Sequence, residues 1–346
     1  MNKSVSYFSL GLLVGILAAS AFYALISGGR DSAGSDNRIL KLAHGLDTTH
    51  PVHMGMERMK ERLEELSGGR LAIDIYPSGV LGSEVQCIEQ LQSGELAMTK
   101  TSTAAMESFI PELGIFGVPY LFDDESHFWE VLEGKIGREL LTIGRDTGLV
   151  GLCYYDAGSR NFYSAKKPIR TPEDLKGMKI RVQNSRMAIA MIETLGGSPT
   201  PIAFGELYSA LAQGVVDGAE NNPPSYHLSR HFEVSRYYSL DEHTAVPDVL
   251  LISQFVWERL STQEQNWLQQ AADESSILQR ALWSQAELDA LNIVQQHGVT
   301  IIYPDKKAFR ARVVNMQLDL IQGPLGSYIQ QVRSMRSTES KRDVTR

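Results

Sequence analysis

Cysteine is scarce in this 346-residue chain: there are two, Cys87 and Cys153, and they form no CxxC pair. HExxH and P-loop stretches are missing, and no Cys/His cluster has metal-ligand spacing. A zinc-built fold, a zinc protease and a P-loop NTPase are thereby excluded, and no metal or cofactor is expected. Positive charge is also in deficit, with 33 Lys and Arg against 41 Asp and Glu, a formal net charge of -8. No basic stripe or arginine-rich run offers a surface to nucleic acid. The acidic, histidine and hydroxyl residues show no spacing that marks a triad or an acid–base pair, so an enzyme is not expected. The two cysteines could pair in an oxidising compartment. Cys87 falls in a helical pattern and Cys153 in the strand-like GLCYYD, which suggests two separate buried thiols.

What is present is an ordinary globular balance, 43% hydrophobic and 21% charged. The length favours two domains, because a single core rarely grows past roughly 250–300 residues. At the N-terminus, Lys3 precedes a largely apolar run from Phe8 to Ile26, with Ala19-Ser20-Ala21 as a cleavage candidate. Residues 1–30 therefore read as a secretory signal peptide or, uncleaved, as a membrane anchor, and the rest of the chain is expected to be exported. No cysteine follows the run, which argues against a lipoprotein. The polar end, residues 336–346, reads as a disordered tail.

Between these ends the pattern is α/β. RILKLAHGL reads as a strand, and Val52, Met56, Met59, Leu63 and Leu66 form the apolar stripe of a helix that Gly68-Gly69 closes. LAIDIYP alternates as a strand does, SEVQCIEQLQSG is a helix, and ELAMTKTS returns as a strand. This βαβαβ order predicts a mostly parallel sheet covered by helices. A second unit repeats the grammar: GLCYYDAGSRNFYS as strands, MKIRV as a strand, then a helix over SRMAIAMIETL with Asn184 placed as its N-cap. FGELYSALAQG is another helix and VVDGAEN another strand. From Ser261 to Gln296 there is neither Gly nor Pro, and a helix there would run about 50 Å. It is expected to buttress both units, which favours a monomer, with dimerisation through this helix as the alternative.

In open parallel sheets ligands bind beyond the carboxyl ends of the strands, where helix N-termini point. Arg181 lies at such an end and Asn184 three residues on. A guanidinium with free backbone N–H groups makes a carboxylate or phosphate site. Asn221 ends a neighbouring strand. The competing reading pairs Arg181 with a local acid, Glu206 or Glu220. Arg160 sits in a crossing segment, as a ligand contact or a loop charge. Glu84 either favours a helix N-terminus or accepts hydrogen bonds from hydroxyls. His50 is a capping residue or a ligand contact, Lys100 and Ser102 follow a strand and are placed to line a cleft, and Phe204 is core or a platform under a ligand.

YPSGVLGSE, EQLQSGELAM, VPYLF, TPEDLKGMKIRV and GGSPTPIAFGELYSALAQGVVDGAEN occur in this order, before the long late helix. From about residue 38 to 330 the chain resembles a solute-binding protein of the tripartite ATP-independent periplasmic (TRAP) transporters, of the DctP type. The resemblance implies a periplasmic-binding-protein fold of type II, with two α/β domains joined by a hinge and a long helix spanning both. Domain one would comprise 38–157 with 247–286, and domain two 158–246 with 287–335. It further implies capture of a small organic acid and its delivery to TRAP permease membrane subunits. By position, Arg181 matches the carboxylate-binding arginine, Arg160 an assisting arginine and Asn221 the asparagine after DGxE. Asn184, Glu84, Ser102 and Phe204 match cleft-lining positions. The wording of YYDAGSRNFYS, ENNPPS and GLDTTHPVH is similar to members that bind hexuronates such as glucuronate or galacturonate. A C4-dicarboxylate would instead need a second cationic anchor, with Lys100 or His50 available, and a ligand-binding sensor domain would use the same fold.

Overall fold

The structure is a computed structural model and describes residues 37–336; the expected signal segment, residues 1–30, and nearly all of the expected tail lie outside the described residues. Two sheets organise the chain. The first contains β1 (Arg38–Ala43), β2 (Leu71–Tyr76), β3 (Met98–Ser102), β4 (Leu149–Tyr155) and β10 (Asp248–Ser253), in the order β2-β1-β3-β10-β4. The second contains β5 (Ser159–Ser164), β6 (Lys179–Val182), β7 (Ser198–Pro201), β8 (Gly218–Asn221), β9 (Tyr237–Ala245) and β11 (Thr300–Ile302), in the order β11-β9-β5-β8-β6-β7.

The expectation of mostly parallel sheets needs correcting, because both are mixed. The β1/β3 and β6/β8 pairs are parallel, but β10 runs antiparallel to β3 and β4, and β5 antiparallel to β8 and β9. The antiparallel strands flank the two places where the chain passes between sheets, 155–159 and 245–248. A strand that returns directly from the other sheet enters with the opposite sense, since a parallel entry would require a crossover of a dozen or more residues.

Helix boundaries follow the local chemistry. Helix α1 (Pro51–Ser67) starts at a His50 cap with Pro at N1, and ends at Gly68 with φ 61°, a left-handed conformation that glycine adopts without steric cost. Helix α2 (Glu84–Ser93) carries a Ser83/Gln86 capping box, and the single turn α3 (Thr103–Met106) follows β3 directly. Helix α4 (Arg186–Leu195) is capped by Ser185, whose side chain accepts from the Ala188 amide. Asn184, expected in that role, is exposed. The turn α5 (Pro223–Leu228) is capped by Asn222.

The long helix α6 (Thr262–Gln296, 35 residues) begins at a Ser261/Glu264 capping box and packs on α1 and β4 at one end and on α5 at the other. Contact with α1 is close: a Cβ on Gly55 would lie 2.7 Å from Gln279 Cβ. Gln279 holds the first crossing segment, its amide oxygen accepting from Asp156 N at 2.7 Å and its amide nitrogen donating to Asp156 O at 2.9 Å.

Each sheet buries both faces. Leu40, Leu42, Met56, Met59, Leu63, Leu152, Tyr155 and Leu268 form one core of the first sheet, and Cys87, Ile88, Phe116, Phe128 and Trp129 the other. Cys87 and Cys153 are free and sit in these different cores. The second sheet packs Phe162, Ile180, Met191 and Phe309 on one side, and Tyr163, Leu207, Tyr226 and Tyr238 on the other. After α7 (Lys306–Ile321) the chain returns to the first sheet. Ile329 and Val332 of α8 (Gly326–Ser334) join Phe128 and Trp129, and His127 Nε2 lies 3.0 Å from Val332 O. The stretch 322–335, expected with the second domain, thus packs on the first, because its apolar stripe matches the face left by Phe128 and Trp129.

Candidate functional site

Two buried charge networks face each other where the sheets meet. The first is built on the β3/β10 register, which sets Asp248 opposite Ser102 and Leu250 opposite Lys100. Side chains alternate along a strand, so Asp248 and Lys100 emerge on the same face as diagonal neighbours. Lys100 Nζ lies 2.9 Å from Asp248 Oδ2 and 3.7 Å from Glu84 Oε1. Glu84, at the first position of α2, also accepts from Ser102 N at 2.9 Å. Burial raises the Asp248 carboxyl above its usual range, with Lys100 opposing the shift.

The second network belongs to the other sheet. The Arg160 guanidinium, 5% exposed, forms a two-pronged ion pair with the Glu220 carboxylate and donates to Glu220 O at 2.9 Å and Asn221 Oδ1 at 3.0 Å. His243 Nε2 stands 3.5 Å from the same carboxylate, while its Nδ1 is 2.8 Å from Asp241 Oδ2. Burial opposes each charge, yet Arg160 and His243 together bring Glu220 down to about 2, and Asp241 with Glu220 takes His243 up to about 9. Glu220 likewise outweighs burial for Arg160, whose shift is upward.

Arg181 differs. It is 2% exposed, and its Nε donates to Ile202 O at 2.8 Å. Its Nη1 is buried with no hydrogen-bond partner among the described residues. Burial lowers its pKa, with Tyr163 and Glu220 opposing at a distance. The competing reading, a pair with Glu206 or Glu220, is not what the structure holds: Glu220 is taken by Arg160, and Glu206 is exposed.

Between the networks lies a cavity of about 40 Å³ lined by Glu84, Lys100, Ser102, Arg160, Gln183, Phe204, Asn221, Asn222, Ser225 and Asp248, among others. Six of the nine residues singled out from the sequence meet there: Glu84, Lys100, Ser102, Arg160, Phe204 and Asn221. Arg181 is not on its wall, though its charge acts on the same cluster. His50 is one step removed, capping α1 through Val52 N and reaching Ser225 Oγ at 3.3 Å. Asn184 is not brought in. Its neighbour Gln183 takes that place, with Oε1 3.4 Å from Ser102 Oγ across the two sheets. Phe204 sits in a short turn of the second sheet's half and packs against the first sheet's core.

Sequence reasoning missed Asp248, Gln183, Asn222 and Ser225. Only Asn222, in the quoted ENNPPS, carried a local signal, an asparagine before two prolines at a helix start. Asp248 becomes visible only through strand register. The arrangement offers a cationic pole at Arg181 and Arg160, a Lys100–Asp248–Glu84 wall with one cation between two carboxylates, and neutral amide and hydroxyl groups between. Among the described residues no group of His, Cys, Asp and Glu is arranged to hold a metal ion. No helix among them is long and apolar enough to cross a membrane.

Comparison with known proteins bears on the family and the fold. Residues 42–319 match the family model DctP, bacterial extracellular solute-binding protein, family 7. A TRAP periplasmic solute-binding protein from Bradyrhizobium, solved with galacturonate, is 37% identical with a TM-score of 0.84, covering 86% of this chain and 100% of that one. One from Pseudomonas putida F1, solved with D-glucuronate, is 33% identical with a TM-score of 0.83, covering 86% and 98%. A third, from Polaromonas and bound to D-erythronate, is 30% identical with a TM-score of 0.85, covering 87% and 99%. The two-lobed α/β architecture with its spanning helix, and the family model over four-fifths of the length, lead to one conclusion: the chain belongs to the DctP family of bacterial extracellular solute-binding proteins.

Proposed function

We propose that this protein captures a hexuronate, galacturonate or glucuronate, between its two lobes outside the cytoplasm and presents it to the membrane subunits of a TRAP permease. The observation that carries the reading is the contrast between the charges: Arg181 is buried without an ion-pair partner among the described residues, whereas Lys100 is already matched by Asp248 and Glu84. One carboxylate is asked for, not two. The rest of the wall is amide, hydroxyl and carboxylate, which suits a ring of hydroxyls. The ligands of the related proteins, galacturonate and glucuronate, have that composition.

In this reading Arg181 forms a bidentate pair with the sugar carboxylate, and Arg160, held rigid by Glu220, and Asn221 complete the acid pole. Glu84, Lys100, Asp248, Ser102 and Gln183 take hydroxyls, and Phe204 covers a ring face. Asn184 has no part in it, and His50 supports Ser225 from behind. Each hydrogen bond to a charged group contributes about 1.5–3 kcal/mol. Three or four of them, less ordering costs, correspond to roughly micromolar affinity. The cavity as it stands, about 40 Å³, has room for a few waters, each needing about 10–15 Å³ on this measure. A sugar acid therefore enters only when the lobes part, and closing is how it meets both walls. The moving bodies would be the halves built on the two sheets, joined at residues 157–158 and 246–247 and along α6 near 286–287, with α8 riding on the first. Ligand then shifts the hinge equilibrium by its preference for the closed form. No bond is made or broken.

The test is a thermal-shift screen of the purified protein against uronates, erythronate, C4-dicarboxylates, sialic acid and 2-oxo acids. Ligand at 100 times its dissociation constant stabilises by about 2.7 kcal/mol. Galacturonate or glucuronate should shift the transition and succinate should not. A shift with succinate alone would overturn the one-carboxylate reading.

A further inference from the structure

We infer that Glu107 is a positioning residue of the capture site, a latch that ties the first lobe to the start of α4 and thereby sets how long the lobes stay closed. The inference rests on the capture reading above but invokes a residue outside the cavity wall.

Glu107 follows α3 immediately and is 6% exposed. Its carboxylate crosses to the other half of the molecule. Oε2 accepts from Ser185 Oγ at 2.5 Å, and the two oxygens accept from Met187 N at 3.2 and 3.3 Å. Ser185 in turn accepts from Ala188 N, so two of the free amides at the start of α4 are satisfied, one of them from the opposite lobe. The helix dipole and Arg186 Nε, 4.0 Å away, favour the negative charge. Gly114 lets the backbone of the first lobe approach the Glu107 side chain, where a Cβ would stand 3.3 Å away.

The position in the chain gives the latch its leverage. On one side, Ser102 of the cavity wall is joined to Glu107 by the single turn α3. On the other, Arg181 and Gln183 lead directly into Ser185. Ser102 with Gln183 and Glu107 with Ser185 are thus two rungs of one seam, the first facing the ligand and the second away from it. When the lobes part both rungs must break, and the α4 amide must find water. A latch of this kind slows opening, and with it the release of ligand.

Stopped-flow binding of D-galacturonate and amide hydrogen exchange over residues 185–190 test this in wild type, Glu107→Ala and Glu107→Gln. Glu107→Ala should raise the dissociation rate about tenfold to a hundredfold, the loss of one or two charge-assisted hydrogen bonds. The association rate should not fall, because losing the latch only eases opening, through which ligand enters. In the ligand-free protein Met187 and Ala188 should exchange faster in the variant than in wild type. Glu107→Gln keeps the volume and one acceptor, and should fall between; it also serves if the alanine variant does not fold. Equal dissociation rates in all three proteins, or an affinity loss carried by association alone, would overturn the latch. If wild type binds no uronate, the ligand assignment fails by itself, and the latch then stands or falls on the ligand-free exchange, where equal rates would refute it.

Discussion

Replacing Arg181 by methionine should make the ligand-free protein more stable while removing its ability to bind. Methionine fills most of the same slot without a charge. In the folded protein the guanidinium is 2% exposed, one nitrogen is bonded to Ile202 O, and another is buried unpartnered. Even well-made buried ion pairs are often matched or bettered by apolar residues of similar size, by about 1–4 kcal/mol. An arginine without its counter-ion should give a gain of at least roughly 1–3 kcal/mol on the same grounds. For a protein of this size each kcal/mol is worth about 2 °C in Tm. The cost appears in binding: two charge-assisted hydrogen bonds at about 1.5–3 kcal/mol each are lost. That is a factor of about 10² to 10⁴ in Kd. Differential scanning fluorimetry without ligand and titration calorimetry with galacturonate read the two effects on one sample. Binding retained within tenfold, or a ligand-free Tm several degrees below wild type, would refute the argument that Arg181 is kept for an acid rather than for the fold.

Much of the scaffold was legible because its signals are local. The long helix needed only a stretch without Gly or Pro, with a Ser261/Glu264 capping box at its start. The ends of α1, α2 and α4 were marked by glycines that take up positive φ. What was not legible depends on pairing between distant residues. Asn184 and Ser185 are adjacent and both are good caps; Glu107, far away in the chain, engages Ser185, and no local rule foretells that. Lys100 looked available as a second anchor for a dicarboxylate until the β3/β10 register set Asp248 beside it. The sense of β5 and β10 follows from the chain crossing between lobes, which a βαβ grammar read segment by segment does not contain. The return of α8 to the first lobe was hidden for a similar reason. Its stripe is apolar, but the partner face lies on Phe128 and Trp129, almost two hundred residues earlier.

Two further outcomes come from the Arg160 network. Arg160→Met should destabilise the fold by about 3–5 kcal/mol, opposite in sign to Arg181→Met, because it strands Glu220 as a buried charge; urea unfolding measures it, and a stability equal to wild type would show that the pair contributes nothing. The same network dictates a pH profile. Glu220 is lowered from 4.5 to about 2, so its contribution is complete above pH 4.5 and lost as pH falls through 2. His243 is raised from 6.5 to about 9, so its contribution is complete below pH 6.5 and lost as pH rises through 9. The network's share of the stability should therefore hold level between pH 4.5 and 6.5 and decline towards pH 9, by on the order of 2–3 kcal/mol from His243. His243 is stacked on Phe162 with ring centroids 4.4 Å apart and fully buried between Asp241 and Glu220. Losing its proton therefore leaves Asp241 without its cation and Glu220 with Arg160 alone. The change in urea midpoint between pH 6 and pH 9.5 should differ between wild type and His243→Gln, wild type losing more stability at the higher pH. If wild type and His243→Gln show the same change, His243 is not held as a cation, and the rigid setting of Arg160 needs another cause.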